Sequence, residues 1–226
     1  MHEAYEKYPV KLDNVRACVT ELLQDGPLWL DDKGRYFVSS REEELPLVRF
    51  HAPPIFPIPE GVTTAEQYLA ALPETLGGML VILVQAGATS MGIWQGETLL
   101  RHKVIKKYVT RGTGRAQTTY LKTRGKSRYG SRLRLQNAKL HLIETNEKMW
   151  EWWEEFGAPD HIFYSCTSRM WPELFNADPV PPFDKQHKCF KIGMDVRKPG
   201  HEELLKVRRF LEWGAVYRRQ PQAALS

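Results

Sequence analysis

The chain has 226 residues, 42% hydrophobic and 11% aromatic, with a formal charge of +5; this suffices to bury one good core and a small appended module. The longest apolar run, Met79 to Val84, is far too short to span a bilayer, and the opening MHEAYEKYPV has no apolar signal region. A cytoplasmic location without membrane attachment is therefore expected. Cys18, Cys166 and Cys189 are odd in number, far apart and without CxxC spacing, which excludes a disulfide framework and a zinc knuckle and suggests buried, inert thiols in a reducing compartment.

Along the chain, Lys11 to Gln24 places Leu12, Val15, Val19, Leu22 and Leu23 on one helical stripe that Gly26-Pro27 stops. Leu28 to Leu30 and Tyr36 to Val38, joined by Asp31-Asp32-Lys33-Gly34, read as a hairpin. The Pro-rich piece His51 to Pro59 is expected to be an ordered connector, because its prolines lack donors and fix φ. Thr63-Thr64-Ala65-Glu66 has the form of a capping box for a short helix running to about Leu72. Met79 to Gln85, Ser90 to Gln95 and Thr98 to Thr110 then predict a three-stranded antiparallel meander, with connections short enough for hairpins.

The third of these strands leads into a segment of unusual charge. From Thr98 to Ile143 there is no Asp or Glu, while 13 of the chain's 32 cations fall there, leaving 19 cations against 27 acids elsewhere. Such an imbalance repels itself unless an anion is supplied, and the natural partner is a nucleic-acid backbone. Lys106, Lys107, Arg111, Lys122, Arg124, Lys126, Arg128, Arg132 and Arg134 are the candidate RNA contacts, with Tyr108, Tyr120 and Tyr129 as stacking surfaces. Arg111 to Lys126 has no periodic stripe and reads as a long mobile loop. About eight residues out and eight back, at roughly 3.3 Å each, would project about 25 Å.

From about Ser127 or Ser131 the pattern becomes helical. Leu135, Ala138, Leu142, Met149, Trp152, Trp153 and Phe156 form its apolar stripe, the tryptophans being core anchors, and Gly157 ends it. Its first turns are basic and its later turns acidic. His161 to Cys166 follows as a strand, Ser168 to Phe175 as a helix, Lys188 to Met194 as a strand, Glu202 to Trp213 as a helix and Ala215 to Arg218 as a last strand. The expected division is an N-terminal extension over 1–75, with helix and hairpin, and a domain over 76–226. The order βββ-α-β-α-β-α has the outline of an α/β, mixed-sheet, ribonuclease-H-like domain.

That outline raises the possibility of a metal nuclease, but MLVILVQ, SMGIWQ and HIFYSC contain no acid, so Asp178, Asp184 and Asp195 have no first-strand partner for a metal cluster. His141 and Glu144, one turn apart, are explained by a solvated helix face. Ser165 has no nucleophile elbow around it, and Gly112-Thr113-Gly114 lacks the Lys-Ser/Thr end of a P-loop. Gln117 remains. Its amide does not titrate, so it is no general base, but its two donors and one acceptor can place a water or hydroxyl. Glycines beside it allow a close backbone approach, where an N–H can stabilise a developing oxyanion. From spacing alone the loop reads more readily as a non-catalytic RNA grip than as a catalytic element.

The basic third strand, the Gly-rich loop ending in Gln117, the segment KTRGKSRYGSRLRLQNA and the long helix after it resemble the Vms-like release factors, relatives of the catalytic domain of archaeal and eukaryotic translation release factors. The resemblance spans roughly Met79 to Arg219 and fits a short, bacterial-type version. It implies a ribonuclease-H-like fold and release of nascent chains from peptidyl-tRNA on stalled large ribosomal subunits, in ribosome-associated quality control. It implies that Gln117 is catalytic and that Gly112, Gly114, Arg115 and Ala116 form the catalytic loop. Arg115-Ala116-Gln117 stands where relatives have Gly-Gly-Gln or Gly-Ser-Gln. The expected partners are ribosomal RNA and peptidyl-tRNA, with no cofactor, no metal and a monomeric chain; a non-catalytic RNA-binding or ribosome-associated protein is the alternative.

Overall fold

The computed structural model describes residues 5–107, 126–184 and 189–220, with backbone only for 126–134. These form two compact units, one of residues 1–74 with 208–226 and one of residues 75–207. None of the described helices is long and apolar enough to cross a membrane.

The first unit is built on the antiparallel sheet β1-β10-β4-β3-β2. Its strands are β1 (Tyr5–Lys11), β2 (Trp29–Leu30), β3 (Phe37–Val38), β4 (Val48–His51) and β10 (Trp213–Arg219). The β2–β3 hairpin follows the sequence expectation, whereas the helix predicted from Lys11 begins at Val15 (α1, Val15–Gln24), after a 3-10 turn over Leu12–Asn14. Tyr5 to Lys11 is extended because β10 supplies its ladder, with Tyr5 opposite Arg219 and Lys11 opposite Trp213. The last strand therefore belongs with the N-terminal unit, unlike the contiguous division at residue 75. β4, absent from the sequence reading, ends at His51, just before the prolines of the connector.

The short helix α2 (Ala65–Ala71) does carry a capping box, shifted by one residue from the expected pair. Thr64, extended at φ −131°, accepts from the Gln67 N–H at 3.3 Å, and Gln67 Oε1 accepts from the Thr64 N–H at 3.3 Å. Thr64 also bridges to Trp29, which holds the N-cap residue in β geometry. Beneath the sheet, Val15, Val19, Leu22, Phe37, Phe50, Tyr68 and Val216 make a closed core, with the Tyr68 hydroxyl donating to the Phe56 carbonyl at 3.1 Å.

The second unit holds the sheet β7-β6-β5-β8-β9. β5 (Gly78–Gln85), β6 (Ala88–Gln95) and β7 (Thr98–Lys106) are the expected meander, turned at Gly87 (φ 74°) and Gly96 (φ 60°), where a side chain is disfavoured. The third strand stops at Lys106, short of the predicted Thr110; the predicted loop from Arg111 and its Gln117 lie outside the described residues. α3 (Lys126–Phe156), about 46 Å long at 1.5 Å per residue, returns the chain to β8 (His161–Cys166), which is parallel to β5. α4 (Met170–Phe175) and β9 (Cys189–Lys191), the latter parallel to β8, follow and are both shorter than predicted. α5 (His201–Leu211) closes the unit up to Val207.

β5 reads as an unbroken apolar run because both its faces are covered. Leu80, Ile82 and Val84 join Met91, Ile93, Leu142, Met149 and Trp152 in one core, while Val81 and Leu83 are buried on the opposite face. Gly92 lies under α5: a Cβ there would meet the Trp94 ring at 2.5 Å and Leu204 at 3.0 Å.

The closest backbone packing in the first unit is at Gly214, where a Cβ would lie 2.4 Å from the His51 carbonyl oxygen and 2.8 Å from Pro53. Those atoms are main chain and ring and cannot swing away. Gly214→Ala is expected to cost about 1–3 kcal/mol, as overpacking does, whereas Gly193→Ala, with nothing within 4 Å, should be near neutral. Chemical denaturation of the two variants checks this, and equal stabilities would contradict it.

Candidate functional site

The site begins where β7 hands the chain to residues 108–125. β6 and β7 are in register up to the pair Ala88 and Lys106. One residue further, the Lys107 N–H donates to the Gly87 carbonyl at 2.8 Å, extending the ladder past the strand end. The Lys107 ammonium lies 2.6 Å from Glu144 Oε2 on α3. At the other end of β7, Arg101 pairs with Glu155 at 2.8 Å and lies over the Phe156 ring. α3 thus runs alongside β7 in the opposite direction, with an ion pair at each end.

Both ion pairs are partly exposed, and pairs of that kind contribute no more than about 1 kcal/mol. The stronger tie lies beneath them. Thr89 of β6, His141 and Thr145 are all buried. His141 Nε2 is 2.7 Å from Thr89 Oγ1, Thr89 Oγ1 is 3.1 Å from Thr145 Oγ1, and the Thr145 hydroxyl donates to the His141 carbonyl at 2.8 Å. With one proton per hydroxyl, the set closes if Nε2–H donates to Thr89, Thr89 to Thr145 and Thr145 to the carbonyl. Burial pushes the His141 pKa down to about 4; the nearby Glu144 and Lys107 act in opposite senses and more weakly. The ring is neutral at pH 7.

His141 is also where α3 meets the sheet. Leu135 to Leu140 are exposed or half-buried, and His141 and Leu142 are the first buried side chains described on this helix. Leu135, assigned by spacing to the apolar stripe, is 63% exposed, whereas Met149 and Trp152 are core residues as expected. At 1.5 Å per residue the helix start at Lys126 lies about 22 Å before His141, so the segment 108–125 ends on a helical arm that precedes the braced part of α3.

The predicted RNA-contact positions divide accordingly. Lys106 is exposed at the end of β7, and Lys107 is half-buried, its ammonium engaged by Glu144. Lys126, Arg128, Arg132 and Arg134 fall in the first turns of α3, where helical spacing puts positions 128, 132 and 139 along one stripe. Gln117, Gly112, Gly114, Arg115, Ala116, Arg111, Lys122 and Arg124 lie outside the described residues. The reading of His141 and Glu144 as a solvated face is corrected: His141 is 1% exposed. The available signal was the spacing of His141, Thr145, Met149 and Trp152, which continues the apolar stripe with two polar members.

Among the described residues no group of three or more His, Cys, Asp or Glu side chains could hold a metal ion. Burial raises the pKa of the Cys166 and Cys189 thiols to about 11, so both are protonated and unreactive at neutral pH.

The family model described as Bacteroidetes VLRF1 release factor matches residues 79–219, which take in the meander, residues 108–125 and α3. A solved structure titled "Vms1 mitochondrial localization core" is similar in fold, with a TM-score of 0.50 and 13% identity over 94% of this chain and 85% of that one. Comparison with curated proteins finds no match.

The neutral His141 has a consequence for pH. Its folded pKa is depressed, so the unfolded chain takes up the proton first, and stability present above pH 6.5 is lost as pH falls towards 4, by up to about 3 kcal/mol. His141→Gln is expected to lower stability at pH 8 by about 1–3 kcal/mol, and its deficit relative to wild type should shrink as the pH is lowered from 6.5. Unfolding free energies of both proteins across that range check this; a deficit that does not change with pH would contradict it.

Proposed function

This chain belongs to the Bacteroidetes VLRF1 release factor family, and from that premise we propose that it hydrolyses peptidyl-tRNA on stalled large ribosomal subunits, with Gln117 placing the attacking water. The observation that carries the reading is the braced stem. Lys107 and α3 are tied through Gly87, Glu144 and the Thr89–His141–Thr145 set, so the acid-free segment around Gln117 leaves from a fixed point and rejoins a helix that is itself fixed further along. We read the second unit as ribonuclease-H-like. Its strands lie in the order third, second, first, fourth, fifth; the first three are antiparallel and the fourth is parallel to the first.

In the proposed step, water attacks the carbonyl of the ester between nascent peptide and terminal ribose. The carbonyl–ribose oxygen bond breaks, the ribose oxygen takes one proton of the water, and the peptide leaves as a carboxylate with the other proton passing to solvent. The Gln117 amide orients the water through its carbonyl, and backbone N–H groups beside Gly112 and Gly114 stabilise the oxyanion. The cations Lys106, Arg111, Arg115, Lys122, Arg124, Lys126, Arg128, Arg132 and Arg134 hold ribosomal RNA and the tRNA end by phosphate neutralisation. Residues 108–125 contain no His, Asp or Glu, so this segment offers no general base towards a ribose 2′-hydroxyl. Ester hydrolysis is therefore favoured over cleavage of the tRNA backbone.

Incubating the protein with stalled large-subunit complexes carrying labelled peptidyl-tRNA, and sequencing the 3′ end of the freed tRNA, tests the reading. Release with an intact CCA end is expected. Release with the terminal nucleotides missing would replace hydrolysis by tRNA cleavage, and saturated binding without release would make the protein an RNA grip.

A further inference from the structure

The sheet of the first unit has its helices and core on one face, and the other face carries a continuous row of rings and cations from four adjacent strands. Alternation along β1, β10 and β4 turns Tyr5, Lys7, Tyr217, Arg49 and His51 to this face, opposite the core positions Val10, Val216 and Phe50. Tyr36, at the entry to β3, joins them. Arg49 lies 4.4 Å from the Tyr5 ring and 5.9 Å from the Tyr36 ring; Tyr36 stacks on His51 at 4.6 Å; His51 meets the edge of Tyr217 at 5.0 Å; Lys7 lies over Tyr217 at 5.8 Å.

The charges on this face are incompletely matched. Of the acids at its rim, Asp31 pairs with Arg35 at 3.5 Å and Glu43 with Arg219 at 3.6 Å, and Asp32 and Glu44 stand beside them. Among the described residues neither Lys7 nor Arg49 has a carboxylate partner, and the buried Nε of Arg49 has no hydrogen-bond partner at all. A cavity of about 230 Å³, lined by Arg35, Tyr36, Arg41 and Arg49 and by these four acids, opens beside them. Arg35 is exposed and its guanidinium lies over the Tyr36 ring at 5.4 Å.

We propose that this face is a second RNA-binding surface, separate from residues 108–125, which takes a single-stranded segment by phosphate contacts to Lys7 and Arg49, with Arg219 exchanging Glu43 for phosphate, and by stacking of bases on Tyr217 and on Arg35, which the Tyr36 ring supports. The chemistry fits RNA better than an acidic protein segment. Carboxylates need only the cations, whereas the interleaved rings and guanidinium planes supply what unstacked bases require. This surface lies outside the segment assigned to release, and its existence does not depend on that assignment.

The test uses the whole 226-residue chain with Lys106, Arg111, Arg115, Lys122, Arg124, Lys126, Arg128, Arg132 and Arg134 changed to Gln, so that the cations assigned to release contribute little. The probe is a labelled oligouridylate of about twelve nucleotides, within the usual site sizes for such platforms. Tyr36→Ala with Tyr217→Ala should weaken binding at least about tenfold, while Tyr36→Phe with Tyr217→Phe, which keeps both rings, should stay within about twofold. Lys7→Gln with Arg219→Gln, at two exposed positions, should flatten the salt dependence by about 1.4 in log–log slope. Thermal unfolding run alongside separates lost binding from lost fold. Unchanged affinity in the folded alanine pair, an unchanged salt slope, or capture of polyglutamate in preference to the oligouridylate would overturn the proposal, the last pointing to a protein partner. Release on stalled subunits is read separately, so either proposal can fail alone.

Discussion

Lys107 is held from two directions: its N–H closes on Gly87 at the β5–β6 turn and its ammonium closes on Glu144 of α3. The ion pair alone is weak, since both partners are about one-third exposed. It sits above Thr89, His141 and Thr145, where hydrogen bonds are made out of contact with water and a lost partner leaves a buried polar group unsatisfied. That buried set fixes β7 and α3 relative to each other, and the basic segment is strung between them. Without it, the cations of residues 108–125 and of the first turns of α3 would share no fixed frame, and positioning chemistry at Gln117 would lose its reference.

The segregation of charge makes sense on this frame. Acids on α3 begin at Glu144, the residue that closes the stem, and the anchored half of the helix carries the rest, including Glu155 opposite Arg101. The half before it, from Lys126 to Leu140, has no acid. One side of the stem carries acids that pair within the protein, and the other carries cations with no acid in the sequence beside them. Under the proposed function the anion that meets these cations is the phosphate backbone of RNA, and the aromatic and cationic face of the first unit adds a second contact of the same chemical kind.

Local pattern made much of this legible. The meander was readable because Gly87 and Gly96 sit at tight turns between apolar runs, and β8 matched its predicted bounds because HIFYSC is a short buried run between Pro159-Asp160 and the next turn. β1 was not readable, since its partner β10 lies some two hundred residues away and nothing in YEKYPVK itself alternates cleanly. The cap of α2 was displaced by one residue because Thr63 and Thr64 both satisfy the motif and only the bridge to Trp29 selects Thr64. His141 was misjudged for a related reason. Beside Glu144 it looks like one of a solvated pair, and the partner that draws it inward, Thr89, belongs to another element. Leu135 erred the other way: helical spacing predicts a stripe but not where the sheet beneath it ends.

The central claim is that Gln117 acts by placing a reactant and not by holding the ribosome. Single-turnover release from stalled large-subunit complexes, measured for wild type and Gln117→Ala at matched occupancy, tests it most directly. The account predicts a loss of release of about a hundredfold or more, the scale of removing one preorganised polar group, with binding affinity and thermal stability nearly unchanged. Equal release rates for the two proteins at equal occupancy would contradict it.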